Sequence, residues 1–202
     1  MQINLQLIGR KNIGGRFNMK TMVIAHPWSG SFNHGILETL VADCKAKNEP
    51  YQVIDLHKDG FDPVYTPEEL AQFNKGTTPY QLTKDYQAML QKTDDLVFIF
   101  PIWWSTMPGM MKGFIDKVML PGFAYKETDQ WHGLLTWIKQ AEVITTSESP
   151  KAQFVSSIQG EFIEGILPEL GLDPKTVTWQ HFDGVGESTA AQRQAFLDSL
   201  TK

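Results

Sequence analysis

The residues from Leu96 to Phe100 are apolar at every position, which is typical of a parallel strand buried on both faces of a sheet. The run breaks at Pro101, and a helical pattern of apolar residues extends from Gly109 to Met119. Two tryptophans and a second proline lie between them, in the sequence PIWWSTMP. Ligands of open α/β sheets bind beyond the carboxyl ends of strands, so this stiff aromatic turn suits a flat ligand.

Four further segments have strand patterns, and helical patterns separate all five. The strands are predicted at residues 21–26, 51–56, 96–100, 141–147 and 176–181. The helices are predicted at residues 34–47, 67–73, 80–93, 109–119, 153–170 and 190–200, with loop at 126–133. Such alternation predicts an α/β fold, a doubly wound parallel sheet with helices on both faces.

The apolar content of the strands predicts their order. The first, third and fourth strands are almost wholly apolar, whereas the second and fifth alternate between apolar and polar residues, as edge strands do. The order 2-1-3-4-5 places the alternating strands at the two edges and puts the switch point between strands 1 and 3. Ligand contacts are therefore expected from the loops after strands 1, 3 and 4.

Size and composition restrict the class of protein. The chain has 202 residues, enough for one sizeable core, and its formal charge of −5 argues against a nucleic-acid partner. No apolar run approaches the ~20 residues that a membrane span requires. The single cysteine excludes an internal disulfide and favours a reducing, cytoplasmic location. The histidines lack ligand-like spacing, so no metal site is expected.

Residues 1–18 differ from the rest, because they carry three basic residues and no acid. They lack the long apolar region of a secretory signal. We interpret residues 1–18 as a loosely ordered N-terminal extension, a tag or the product of an upstream start, and residues 19–202 as a single domain.

The loop after the first strand has small hydroxyl residues directly before a helix. Ser29 and Ser31 flank Gly30, and the helix that follows would present free N–H groups to an anion. A phosphate could therefore sit close to the backbone here. The alternative is an ordinary strand-to-helix loop in which a serine caps the helix.

Four motifs in order resemble a known family, the flavodoxin-like NAD(P)H:quinone oxidoreductases of the DT-diaphorase group and its small bacterial relatives. The motifs are Ala25-His26-Pro27 with Ser31-Phe32-Asn33; Phe100-Pro101-Ile102-Trp103-Trp104 with Met107-Pro108; Asp116-Lys117-Val118 with Gly122-Phe123-Ala124-Tyr125; and Ile144-Thr145-Thr146. The resemblance implies a flavodoxin-like fold and a flavin, FMN or FAD, on the carboxyl edge of the sheet.

The resemblance also implies which residues form the site. The cofactor-binding residues would be His26, Ser31, Phe32 and Asn33 at the phosphate, Pro101, Ile102, Trp103, Trp104 and Ser105 along the ring, and Thr145, Thr146 and Ser147 on its other side. Tyr125 would be the catalytic residue, facing the substrate space near a homodimer interface. Structural alternatives stay open: Trp103 and Trp104 as core packing, His26 as a satisfied buried histidine, and Tyr125 as a loop anchor.

The implied activity is NAD(P)H dehydrogenase (quinone), with hydride passing from NAD(P)H through the flavin to a quinone-like acceptor in a ping-pong scheme. The choice between NADH and NADPH stays open. Two alternatives are an ancillary regulatory subunit of a potassium-efflux transporter, which would make that transporter a peripheral partner, and a flavodoxin-type electron carrier. The paired tryptophans build a substrate pocket that a carrier does not need.

The chain departs from the best-known members of the family after the fourth strand. Ser147-Glu148 stands where those members have two glycines, and Phe154 is the nearest following aromatic residue. No histidine follows until His181, so the usual tyrosine–histidine proton relay is missing or supplied differently. A carboxylate at Glu148 would oppose the negative charge of a reduced flavin.

Overall fold

The computed structural model describes residues 18–201, and seven strands lie within this range. In chain order they are β1 (Lys20–Ile24), β2 (Tyr51–Asp55), β3 (Asp95–Pro101), β4 (Tyr125–Glu127), β5 (Trp131–Gly133), β6 (Gln140–Thr146) and β7 (Val177–Phe182). Five of them form one sheet in the order β2-β1-β3-β6-β7, and every pairing in it is parallel. This confirms the strand order expected from the sequence, with the alternating strands at the edges.

The α-helices of the described chain are α1 (Phe32–Lys47), α2 (Pro67–Phe73), α3 (Gln81–Leu90), α4 (Gly109–Val118), α5 (Leu167–Glu169) and α6 (Ala190–Ser199). Two 3₁₀ turns cover Lys151–Phe154 and Pro174–Thr176, and a π-helix covers Val155–Ile166. The segment predicted as one interrupted helix at 153–170 is thus three helical types in succession. None of the helices among residues 18–201 combines the length and apolar composition that a membrane crossing requires.

The sheet separates two apolar clusters because successive residues of each strand face opposite sides. All seven residues of β3 are buried, and Val97 and Ile99 pack on the α1 side with Met22 and Ile24. Phe98 packs on the opposite side, where α3, α4 and the π-helix supply the larger cluster. A strand buried this way can be apolar throughout, which is why β3 carries no alternation.

A buried ion pair fixes the segment between β2 and α3, which contains α2, to α4. Lys117 Nζ lies 3.0 Å from Glu69 Oε1, and both side chains are almost fully buried. The ammonium also donates hydrogen bonds to the carbonyls of Asp62 (2.7 Å) and Val64 (2.9 Å). Because one cation satisfies a carboxylate and two backbone oxygens, the segment 61–69 has a defined position on α4.

Gly113 of α4 allows this segment to approach closely. A Cβ at Gly113 would lie 2.3 Å from Pro63 Cβ and 2.5 Å from its carbonyl oxygen, which no real contact permits. The glycine is therefore required by the close approach of two backbones.

Residues 126–133 were predicted as loop, and this is wrong. β4 and β5 pair antiparallel, with Tyr125 opposite Gly133 and Glu127 opposite Trp131. The strands are only three residues long, and most of their side chains are exposed. A strand so short shows too little alternation to be recognised, and the stacking of Tyr125 on Trp131 that stabilises it joins residues across the turn.

The extension predicted at residues 1–18 lies outside the described residues, except for Asn18. Met19, the predicted start of the domain, is already within the fold, because its carbonyl accepts N–H groups from Asp94 and Asp95 at the entry to β3.

Candidate functional site

The loops after β1, β3 and β6 meet at the carboxyl edge of the sheet. The Ile102 N–H donates to the Thr146 carbonyl (2.8 Å), and Ala25 N–H donates to the Ile99 carbonyl (3.0 Å). Asn33 Nδ2 donates to Thr146 Oγ1 (2.9 Å), which connects α1 with β6. The three loops expected to carry ligand contacts are therefore held together by direct hydrogen bonds.

The loop after β1 ends in a capped helix with no acidic residue in its first turn. Ser31 is the N-cap of α1, and its Oγ accepts the N–H of His34 (3.3 Å). The remaining first-turn N–H groups and the positive end of the helix dipole favour an anion at this point. The structure thus confirms that a serine caps this helix. The cap is compatible with phosphate binding at the same helix start.

Histidines surround this helix start. His26 Nδ1 accepts the N–H of Trp28 (3.1 Å), and burial, with a smaller effect from the nearby His34, lowers the pKa of His26. His34 Nε2 lies 3.4 Å from Asp55 Oδ2 at the end of β2. The His26 and Trp103 rings lie 6.1 Å apart, so the first loop contacts the aromatic turn after β3.

Asn33 has a hydrogen-bond acceptor without a partner among the described residues. This atom provides a test of whether the residues at the junction fit a flavin. The side chain is 3% exposed, and its Oδ1 has no hydrogen-bond partner among the described residues. A buried acceptor of this kind is costly unless something donates to it. Flavins carry a ribityl chain of hydroxyl donors between ring and phosphate, so the residue fits a flavin with its phosphate at the start of α1.

The turn after β3 presents an aromatic side chain on a strained backbone. Trp103 and Thr106 exchange both backbone hydrogen bonds (3.0 and 3.2 Å), and the residues between them have positive φ, 50° at Trp104 and 66° at Ser105. Such angles are unfavourable for bulky side chains and persist mainly at functional sites. Pro101 and Ile102 are buried beneath the turn, whereas Trp104 is fully exposed.

A second contact holds this turn from the other side of the site. The Ser157 hydroxyl on the π-helix donates to the carbonyl of Ser105. π-Helices are rare and frequently lie at functional sites.

The exposure of Trp103 and Trp104 means that neither is core packing, so that alternative is wrong for both indoles.

The two threonines that end β6 face opposite sides of the sheet. Thr146 lies toward α1 and accepts the Asn33 hydrogen bond, whereas Thr145 Oγ1 accepts the Trp179 Nε1–H (2.8 Å) from β7. Both side chains are buried. The hydroxyls of both threonines are therefore already used in hydrogen bonds within the protein.

Ser147 begins the loop after β6 and forms a compact turn with Ser149. Its Oγ donates to the Ser149 carbonyl (2.7 Å) and accepts the Ser149 N–H (3.0 Å). Its own N–H donates to the Phe182 carbonyl (3.0 Å). The loop is thereby attached to the end of β7.

The Glu148 carboxylate is turned away from the three-loop junction. Both of its oxygens accept the N–H of Gly186 (3.0 and 3.1 Å) in the loop after β7. It lines a separate groove with Asp183 and Glu187. The carboxylate therefore does not face the place where the motif resemblance puts the ring of a flavin.

Phe32, a predicted phosphate-end residue, packs against two other aromatic rings. Its ring centroid lies 4.8 Å from that of Phe182 and 6.1 Å from that of Phe196 on α6. The side chain thus fixes the first turn of α1 against the end of β7, and its backbone remains available to a ligand.

Tyr125 lies apart from the twelve other predicted residues. Its ring stacks on Trp131 at 4.1 Å with an 11° tilt, and burial raises the pKa of Tyr125. Both residues line a groove of about 380 Å³ with Tyr65, Phe73 and Ile166, and none of the predicted cofactor-binding residues lines it. Within a single chain, Tyr125 therefore lines a groove separate from the predicted cofactor-binding residues.

The sequence reasoning assigned no role to His181, which the fold places beside the loop after β6. Its ring contacts Thr145, Ser147 and Ser149. The sequence signal for a role of His181 was weak, because the residue occupies an edge strand with alternating apolar and polar residues. It reaches its partners only through the β6–β7 register, in which Thr145 lies opposite His181.

Comparison with known proteins agrees with this geometry. A family model, Flavodoxin_2, described as a flavodoxin-like fold, matches residues 19–199. The chain belongs to this family. Flavodoxin_2 membership accounts for the sheet order and confirms the resemblance drawn from the four motifs.

Individual relatives of this Flavodoxin_2 chain include a Haemophilus influenzae protein described as an uncharacterized NAD(P)H oxidoreductase. It is 31% identical over 126 residues, which span 61% of this chain and 62% of that protein. The structure of Smu.1420 from Streptococcus mutans is similar with a TM-score of 0.78 at 30% identity, covering 91% of this chain and 96% of the other. An NAD(P)H:quinone oxidoreductase from Methanothermobacter marburgensis has a TM-score of 0.76 at 22% identity, covering 92% and 96%, and shares the fold.

Proposed function

We propose that the protein is a flavin-dependent NAD(P)H dehydrogenase acting on a quinone or a similar flat acceptor. The observation that carries the proposal is the junction of three loops at the switch point between β1 and β3. It combines a capped helix start, an unpaired buried acceptor on Asn33 and an exposed indole on a strained turn. The description of the Haemophilus influenzae relative as an NAD(P)H oxidoreductase supports the same activity.

The chain's own residues have separate tasks in this proposal. The N–H groups at the start of α1 and the Ser29–Ser31 hydroxyls would bind the phosphate, and Asn33 Oδ1 would accept a ribityl hydroxyl. Trp103 and Trp104 would orient the ring system and exclude water from one face. The N–H of Glu148, between the N–H groups that Ser147 and Ser149 already use within the protein, would stabilise negative charge at the ring edge. The chemistry that bound flavin supplies is two-electron hydride transfer from NAD(P)H to the acceptor, in two half-reactions at one face.

We propose that Tyr125 reaches the acceptor from a second copy of the chain in a homodimer. Tyr125 and Trp131 form a stacked pair on the β4–β5 hairpin, and they line an apolar groove beside the exposed Leu70. Burial of this groove in a dimer would explain the exposed apolar groups, and the catalytic role of Tyr125 depends on that dimer. Light scattering on wild type and Trp131→Glu tests it: wild type should be dimeric and the variant monomeric.

The test of the function uses the purified protein. The released flavin is identified by chromatography, which decides between FMN and FAD, and turnover is measured with NADH and NADPH against a simple quinone. A yellow protein that turns over a quinone supports the proposal. Bound flavin without turnover would favour the electron-carrier or regulatory alternatives, and failure to bind either flavin contradicts all three.

A further inference from the structure

His181 makes polar contacts with three groups on one short segment. Its Nδ1 lies 2.8 Å from Thr145 Oγ1, and its Nε2 lies 3.1 Å from Ser147 Oγ and 3.0 Å from the Ser149 carbonyl. All three belong to residues 145–149, which we call the ring-wall segment because the proposed flavin ring lies against it. One imidazole therefore ties the end of β6 and the loop that follows it to β7.

The hydrogen bonds assign the proton on the imidazole. The Ser149 carbonyl can only accept, so Nε2 must carry the hydrogen. Thr145 Oγ1 already accepts the Trp179 Nε1–H, so its own hydrogen is available to donate to Nδ1. The neutral Nε2–H tautomer thus satisfies every polar atom of the group.

The surroundings keep this imidazole neutral and fixed. Burial is the main cause that lowers the pKa of His181, and the charged groups that act on it are Asp183, which raises the pKa, and Lys151, which lowers it. The ring centroid lies 5.6 Å from Phe154 and 6.2 Å from Trp179, so the ring is packed by two different elements. A ring held in this way has one orientation.

We propose that His181 is a positioning residue that holds the ring-wall segment in place for the flavin ring. Backbone donors at a charge that develops during reaction act only when they are preorganised to within about 0.5 Å. The His181 contacts supply a side-chain link between β7 and that stretch. The inference rests on the proposed function for the flavin, but the hydrogen bonds belong to the protein alone.

The first test measures amide hydrogen exchange in the flavin-free protein. His181→Phe keeps the ring packing and removes the polar contacts, His181→Gln keeps an N–H donor, and His132→Phe on the exposed β5 strand is the control. We expect exchange at Ser147 and Ser149 to accelerate at least tenfold in His181→Phe, partly recover in His181→Gln, and stay unchanged in the control and in β3. Unchanged exchange at both amides in His181→Phe overturns the proposal.

The second test separates the ring end from the phosphate end. His181→Phe should weaken riboflavin and FMN by the same factor, about tenfold, whereas Ser31→Ala should weaken FMN more than riboflavin. If exchange accelerates and both affinities stay at wild-type values, the positioning role is overturned. If wild type binds no flavin, the proposed function fails while the exchange result still stands.

A third measurement needs no variant, so it tests the proposed hydrogen bonds of His181 even if His181→Phe fails to fold. Long-range ¹H–¹⁵N correlation spectra of the wild-type protein report the tautomer of each histidine. The Nε2–H form of His181 supports the assignment. An Nδ1–H form, or an imidazole that is protonated at pH 7, contradicts it.

Discussion

Asn33 on α1 donates a hydrogen bond to Thr146 at the end of β6, across the intervening strand β3, at 2.9 Å. This bond fixes the orientation of the Asn33 amide and leaves its Oδ1 buried without a partner among the described residues. The residue is thus held ready for a donor that residues 18–201 do not supply.

Replacing Asn33 with alanine should weaken flavin binding about tenfold, because the bound hydroxyl would lose its acceptor, a cost of about 1.4 kcal/mol. Binding is measured by quenching of flavin fluorescence. Asn74→Ala, at the exposed end of α2, is the matched control and should bind like wild type. Equal affinity in Asn33→Ala would remove the main support for the placement of the ribityl chain.

Replacing Trp104 with alanine should leave folding almost unaffected and reduce flavin retention. The indole is fully exposed, so its removal should change the unfolding free energy by less than about 0.5 kcal/mol. Loss of the stacking surface should weaken flavin retention about tenfold or lower turnover to a similar degree. Val64→Ala, another exposed apolar residue that does not line the proposed dimer groove, serves as control. A Trp104→Ala protein that binds and reduces like wild type shows that the ring lies elsewhere.

Replacing Lys117 with methionine should destabilise the protein by about 3–5 kcal/mol, because Glu69 would become a buried charge without a counter-ion. Urea unfolding measures the loss. The double variant Lys117→Met/Glu69→Gln should recover part of it, since glutamine retains the capping contact with Thr66 and carries no charge. Lys112→Met removes a partly exposed pair with Asp116 and should cost less than about 0.5 kcal/mol. Strict additivity of the two single changes would contradict coupling between Lys117 and Glu69.

Acid should destabilise the flavin-free protein through three histidines. Burial is the largest cause that lowers the pKa of His26, of His57 and of His181 below the ordinary value of 6.5. The unfolded chain therefore binds protons first as the pH falls below about 6.5, and the stability present above that value is lost as the pH passes through the folded-state pKa values. Unfolding free energies measured between pH 8 and pH 5 should decline, and the decline should be shallower in His181→Gln. An equal slope in that variant would contradict the assignment to His181.

The sequence was sufficient where one strong local signal determined the structure. The uninterrupted apolar run at 96–100 reflects burial on both faces, and this identified β3 as central. The serine-containing loop after β1 indicated a helix that a serine could cap, although α1 begins at Phe32, two residues before the predicted position 34. Features that depend on register could not be predicted in the same way, because no local pattern reports which side chain lies across a strand. His181 reaches Thr145 only through the β6–β7 pairing, and Glu148 turns toward Gly186 only because the loop after β7 passes beside it.

The roles predicted for individual residues show the same difference between local signals and contacts that depend on the rest of the fold. Asn33 and Trp104 lie at the junction of the three loops, where the motif resemblance put them. Thr145 is in the same place, but its hydroxyl is already used by β7, and residue type could not reveal that. Tyr125 lies on a hairpin that the sequence did not predict, and its proposed role depends on a second chain.

Because Ser157 donates a hydrogen bond to Ser105, the orientation of the turn at 103–106 depends on the geometry of the π-helix that carries Ser157. A π-helix spaces its side chains differently from an α-helix, so any change that returned residues 155–166 to α-helical winding would rotate Ser157 away from Ser105. The tilt of Trp104, and with it the shape of molecule that can stack there, could therefore be altered by substitutions fifty residues along the chain that never touch the bound molecule.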